Sequence, residues 1–214
     1  VSSHHKHSLI IREGLRLSDD IAAGRDAYDR MMAPMLAMNK RRKSKHKKAY
    51  KPNKLWLNAN HEDRVWRYIQ DKPELLGFIP HTDLLGVAAD GWEIVPYREY
   101  RYLHGVGFTH IPMCKRMNQP VGGEYVCRRV ADMEHQTTVF GHTHRLGMHE
   151  SKRNGGKLVQ GINIGWFGDF VPSYVIGNEG KCDWWGGLVF LHHVAPGQVD
   201  IETISMDRLK KDYL

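Results

Sequence analysis

Three histidine-bearing groups stand directly behind runs of residues that read as strands. Asn60-His61-Glu62-Asp63 follows Leu55-Trp56-Leu57, His104-Gly105 follows residues 100–103, and Gly141-His142-Thr143-His144 follows Thr137–Phe140. Polar loops behind strands are where α/β folds carry ligand and catalytic groups, because the sheet holds them rigidly. A lone histidine in such a place is usually a surface or core residue. His142 and His144 differ, since alternate side chains of an extended chain share a face and both are expected to reach one site. Neutral imidazole suits Zn, Mn, Fe or Ni better than a hard oxygen site for Ca.

The elements that must hold these groups are short. Ser18, Asp19 and Asp20 can cap an amphipathic helix over 18–33, with Leu17, Ile21, Tyr28, Met31 and Met32 near helical spacing. Pro34 is expected to kink or end it. Helical spacing resumes over 63–70, and Pro73 opens another short helical stretch. Beyond Trp92 the texture turns to strands, over 92–97, 100–103, Thr137–Phe140 and Leu158–Ile164. Gly187–Ala195 and Gln198–Ser205 read as a hairpin turning at Pro196-Gly197. Without repeat or linker, the 214 residues predict one mixed α/β domain, 1–214.

Charge is unevenly placed. Basic residues outnumber acidic ones 31 to 24, yet nine of the basic ones lie between Lys40 and Lys54, where no acid occurs. The remainder, 22 basic against 24 acidic, is nearly neutral. Residues 40–54 therefore read as a basic loop or insertion, either a solvated face or an arm that attracts phosphates. Tyr50 is its first aromatic residue, so base stacking has little support.

Other classes are excluded more simply. Apolar residues at 41% and charged residues at 26% describe a globular chain, against disorder and fibrous repeats. No run approaches the roughly 18 apolar residues of a membrane span. Three cysteines, Cys114, Cys127 and Cys182, offer neither a disulfide framework nor a Cys-x-x-Cys zinc site. A reducing, cytoplasmic setting is expected.

In order and interval, Ala59-Asn60-His61-Glu62, His104 before Gly105, and Gly141-His142-Thr143-His144 resemble the last three motifs of the calcineurin-like metallophosphoesterase superfamily. Arg64, the run Gly91-Trp92-Glu93-Ile94-Val95-Pro96 and Arg145 resemble its phage and bacterial branch. The resemblance spans about residues 8 to 195. It implies an α/β sandwich of two mixed β-sheets flanked by helices. It also implies a hydrolase cleaving a phosphomonoester or phosphodiester with two divalent ions, Mn favoured over Fe, Zn or Ni. Asn60, His104 and His142 would bind one ion and His144 the other, and a hydroxide bridging the pair would attack phosphorus. His61 would assist the leaving group, and Arg64 would contact substrate phosphate or orient the loop.

The superfamily's first two motifs, Asp-x-His and Gly-Asp-x-x-Asp, have no counterpart in order here. Asp26 and Asp29 have the right spacing but fall within the expected helix, and Gly168-Asp169 comes too late. The expectation is that Val1 lies just downstream of those motifs, so that the first strands are missing. Without its bridging carboxylate the chain alone is expected to hold metal weakly and could be inactive. The basic segment makes nucleotide or nucleic acid a plausible substrate. The alternative expectation is a non-catalytic nucleic-acid-binding protein that keeps a degenerate phosphoesterase fold. Among lesser features, His4, His5 and His7 are expected in a frayed terminus, Trp184-Trp185 at a core or edge contact, and His192 and His193 on opposite faces of a strand.

Overall fold

In the computed structural model, residues 16–114, 116–169 and 183–214 are described. The expectations for His4, His5, His7 and Cys182 lie outside them. The chain divides into two compact units, Val1–Pro96 and Tyr97–Leu214.

The first unit is organised by helix α1 (Leu17–Ser44), which buries Tyr28, Met32 and part of Met35, one face at helical spacing. That face meets Val87, Trp56, Leu85, Trp92 and Ile94. Tyr28, Trp56 and Trp92 pack edge to face, and the Trp92 indole N–H donates to the Tyr28 hydroxyl at 2.8 Å. Of the two outcomes expected at Pro34, a kink or an end, the end does not occur: the proline lies inside α1, which runs on to Ser44. A proline inside a helix costs about 3 kcal/mol. Here it is followed by strong helix formers, and Arg41, Arg42 and Lys43 lie at the negative pole of the last turn. The expected basic loop is accordingly helical through Ser44.

Strand β1 (Leu55–Leu57) pairs in parallel with β2 (Glu93–Val95), in register Leu55 to Glu93. Parallel neighbours need a crossover. It is built from helix α2 (Asn60–Asp71), which buries Val65 and Ile69, and two short 3₁₀ turns, Pro73–Leu75 and Val87–Asp90. Asp83 caps the second turn by accepting from the amides of Val87 and Ala88.

The second unit is built on a five-stranded mixed sheet. Its strands are β3 (Arg101–Leu103), β4 (Val106–Thr109), β7 (Thr137–Phe140), β8 (Leu146–Lys152) and β9 (Leu158–Ile164), in the spatial order β3-β4-β7-β9-β8. The central three run parallel, and the two edges are antiparallel to their neighbours. A small ladder of β5 (Met113–Cys114) with β6 (Gln119–Pro120) follows β4.

All four residues of β7 are buried, as a central strand covered on both faces requires. On one face Val106, Val139 and Ile162 pack against Val199, Leu191 and Ile201. Those three residues come from a hairpin of β10 (Gly187–Ala195) and β11 (Gln198–Ser205). On the other face Phe140 meets Val121 and helix α3 (Val126–Met133) through Val126 and Val130. A Cβ at Gly161 would stand 2.2 Å from the Cys127 carbonyl oxygen, so only glycine lets α3 lie this close to β9. Gln160 latches the layers together, exchanging hydrogen bonds with both the amide and the carbonyl of Val199 (3.0 and 2.9 Å). Helix α4 (Met206–Tyr213) closes the described chain, its Lys210 paired with Asp169 at 2.6 Å. Among the described residues no helix is long and apolar enough to cross a membrane.

Candidate functional site

Parallel strands end on the same side, so the loops behind β4, β7 and β9 share one edge of the second unit's sheet. The loop behind β4 begins with His110, and the loop behind β7 is Gly141 to His144. The loop behind β9 is Gly165-Trp166.

His142 and His144 do come to this edge, but not along an extended chain. Both take left-handed backbone angles, φ 68° and 60°, and the Thr143 amide donates to the Gly141 carbonyl at 2.8 Å. This positive-φ γ-turn is a strained form, and such strain is concentrated at functional sites. Thr143 is held in turn by the amide of buried Asn163 from β9. The two imidazoles therefore face different neighbours. His142 Nδ1 lies 3.2 Å from His110 Nε2, whereas His144 stacks on Trp166 (5.7 Å between centroids) and meets Trp184 edge-on (4.2 Å). The slot is knitted by backbone bonds from Trp185 N–H to the His144 carbonyl and from Trp166 N–H to the Trp185 carbonyl. Arg145 pairs with Asp183 at 2.8 Å beside it.

Burial lowers the pKa of His142, and burial followed by the charge of His142 lowers that of His144. Both shifts favour the neutral form, the state that can ligate a metal. His144 Nδ1 and Asn163 Oδ1 are buried with no hydrogen-bond partner. An orphaned buried nitrogen on a neutral imidazole fits an electron-pair acceptor. The 3.2 Å hydrogen bond between His110 and His142 is also close to the spacing of about 3.3 Å that two nitrogens about 2.0 Å from one ion have at tetrahedral angles. Among the described residues no three His, Cys, Asp or Glu side chains are gathered into a ready-made metal site.

His104 does not join this group. It sits with Gly105 in the two-residue turn between β3 and β4, both at positive φ (49° and 80°), as in a type I′ hairpin. That turn precedes β4, so His104 is at the opposite end of the parallel strands from His142. It is exposed there, beside His193 of the β10–β11 hairpin at 5.8 Å. The strand-end histidine is instead His110, which is absent from the sequence expectations. Its signal is nonetheless present: two runs separated by two residues ending in Gly mark a hairpin, and the second run ends at His110.

In the first unit, Asn60, His61 and Arg64 occupy the first two turns of α2, immediately behind β1. His61 is exposed, while Asn60 and Arg64 are half-buried. The loop is set by Asn58, buried and donating to the Thr82 carbonyl at 2.9 Å, and by Glu62, whose carboxylate accepts from the Ala59 amide at 2.8 Å. Burial raises the Glu62 pKa against that bond. Ala59 sits at φ −96°, ψ 175°, an extended angle open to any residue, so alanine serves there without strain. Asp26 and Asp29 are mid-helix and engaged in i,i+4 pairs with Arg30 and Arg25.

Compared with known protein families and with curated proteins, the chain matches none.

Proposed function

We propose that the chain is a metal-dependent phosphoesterase of the calcineurin-like kind, acting on a phosphomonoester or phosphodiester. The observation that carries this reading is the pairing of His110 Nε2 with His142 Nδ1 at the ends of adjacent parallel strands. It supports the ordered motifs of the sequence, with His110 in the place first given to His104. The fold of the second unit, a mixed sheet between a hairpin and a helix, is compatible with the sandwich expected.

In this reading His110 and His142 would hold one divalent ion, and His144 would be the residue offered to a second. A divalent ion there would supply positive charge that polarises a phosphoryl oxygen and stabilises the transition state. The chain's own residues do the rest. Burial favours the neutral imidazoles of His142 and His144, the γ-turn at His142 fixes its ring direction, and the Trp166–Trp184 slot holds that of His144. The resemblance of the sequence motifs assigns the leaving-group role to His61 and a phosphate contact to Arg64.

Mn²⁺-loaded chain, with metal quantified by mass spectrometry, would be assayed on bis-p-nitrophenyl phosphate beside His61→Ala. The reading predicts Mn²⁺ held weakly, as the missing bridging carboxylate implies, and a Mn²⁺-dependent turnover that His61→Ala reduces by about 10²–10⁴-fold. Turnover indifferent to Mn²⁺ or to His61 would contradict it, and so would a chain that binds no divalent metal even weakly.

A further inference from the structure

The acid-free stretch of the sequence is a built arm. The last turn of α1 carries Arg41, Arg42 and Lys43 directly behind Lys40, the chain reverses at Lys45 and His46, and the residues that follow fold back onto the helix. Several bonds fix this course. The Arg42 guanidinium donates to the Lys48 carbonyl at 2.7 Å, and the Lys47 amide donates to the Arg42 carbonyl at 2.9 Å. The Asn39 side chain holds the Tyr50 backbone from both sides, accepting from its amide (2.7 Å) and donating to its carbonyl (2.9 Å). Outward from this frame stand Lys40, Arg41, Lys43, Lys45, Lys47 and Lys48, all exposed and, among the described residues, in no ion pair.

Like charges this close repel, since one helical turn rises about 5.4 Å and screening needs about 8 Å at physiological salt. The negative pole of α1 offsets only part of that repulsion. A frame that holds six cations against it suits a ligand with its own regular array of negative charge. We infer that the arm is a docking surface for the phosphate backbone of nucleic acid, whether or not the histidine site hydrolyses anything.

Neutralised phosphates release their counterions, which drives binding and makes it salt-dependent. Tyr50, 53% exposed and pinned through its backbone, adds one aromatic face on which a base can stack. An anionic bilayer is the poorer fit. It attracts a polybasic segment whatever its fold, and residues 40–49 offer only Ala49 as an apolar anchor.

The test is fluorescence anisotropy of a labelled DNA duplex of about 20 base pairs with the full chain, from about 50 to about 200 mM salt. K45Q/K47Q/K48Q is expected to weaken binding by at least about tenfold at the low-salt end. It should also reduce the slope of log K against log salt by about 2–3, near 0.9 for each phosphate left without its lysine. Asn39→Ala keeps every charge but frees Tyr50, and is expected to weaken binding about threefold. R116Q/K152Q/K211Q, which removes charge elsewhere, should leave the slope unchanged, and circular dichroism should show intact helix throughout. An unchanged slope in K45Q/K47Q/K48Q would overturn the inference. Undiminished binding by Asn39→Ala would overturn it as well, as would capture by phosphatidylserine vesicles in preference to duplex.

Discussion

His110 Nε2 and His142 Nδ1 lie 3.2 Å apart, one behind β4 and the other behind the parallel strand β7. Nothing in their sequence separation brings them together. It follows from the register, in which Thr109 stands opposite Phe140, so both strands end level. The histidine pair is therefore a product of the sheet rather than of the local sequence.

Gln160 tests the layering that keeps those strands in place. Gln160→Leu would leave the amide and the carbonyl of Val199 buried and unpaired. The expected loss of stability is about 2–3 kcal/mol by urea unfolding, with the denaturant slope unchanged. A loss below about 0.5 kcal/mol would mean that the hairpin docks on apolar contacts alone.

Gly161→Ala tests the other face. Its Cβ would meet the Cys127 carbonyl oxygen at 2.2 Å, so α3 must shift away from β9. Overpacking of this kind costs about 1–3 kcal/mol. Because backbone rather than a flexible side chain is in the way, the upper end is expected from thermal unfolding.

Glu62 has a purely local task on α2. Glu62→Ala removes the acceptor for the Ala59 amide and should cost about 1 kcal/mol, with Glu62→Gln recovering most of it. Equal losses for the two variants would mean that charge, not the hydrogen bond, matters at this position.

The pH dependence of stability follows from burial of the loop behind β7. His142 and His144 have folded pKa values below the ordinary 6.5, so the unfolded chain binds protons that the folded chain does not. Their contribution is complete above about 6.5, falls as pH drops between that value and the folded values, and levels off below them. Urea midpoints measured from pH 7.5 down to about 5 should decline less steeply in His142→Gln than in the wild type. Parallel declines would show that His142 does not carry the effect.

Much of this fold was legible where apolar residues alternate or run between strong turn signals. Thr137–Phe140, Leu158–Ile164 and the Pro196-Gly197 hairpin have the bounds expected of them. The departures have local causes. Pro34 suggests a helix end, but the residues behind it are good enough helix formers to carry α1 another ten positions. Strand β8 is hard to see in the sequence because Leu146-Gly147-Met148-His149 offers little apolar pattern, being paired on one side only at the edge of its sheet. His104 outranks His110 in sequence because a histidine before glycine looks like a strand end. The same dipeptide is also a tight turn, and only the pairing of β3 with β4 decides between them. The Trp166 and Trp184 walls around His144 come from segments far apart in the chain, which spacing cannot join.

On the proposed reading, the histidines behind β4 and β7, and not the turn before β4, form the metal-binding end of the sheet. This assignment is tested most directly by isothermal titration of Mn²⁺ or Zn²⁺ into the wild type, His110→Asn, His142→Asn and His104→Asn, each checked for native circular dichroism. His110→Asn and His142→Asn are each predicted to weaken binding by at least about tenfold, near 1.4 kcal/mol, while His104→Asn binds like the wild type. Loss of binding in His104→Asn with His110→Asn unaffected would contradict that claim.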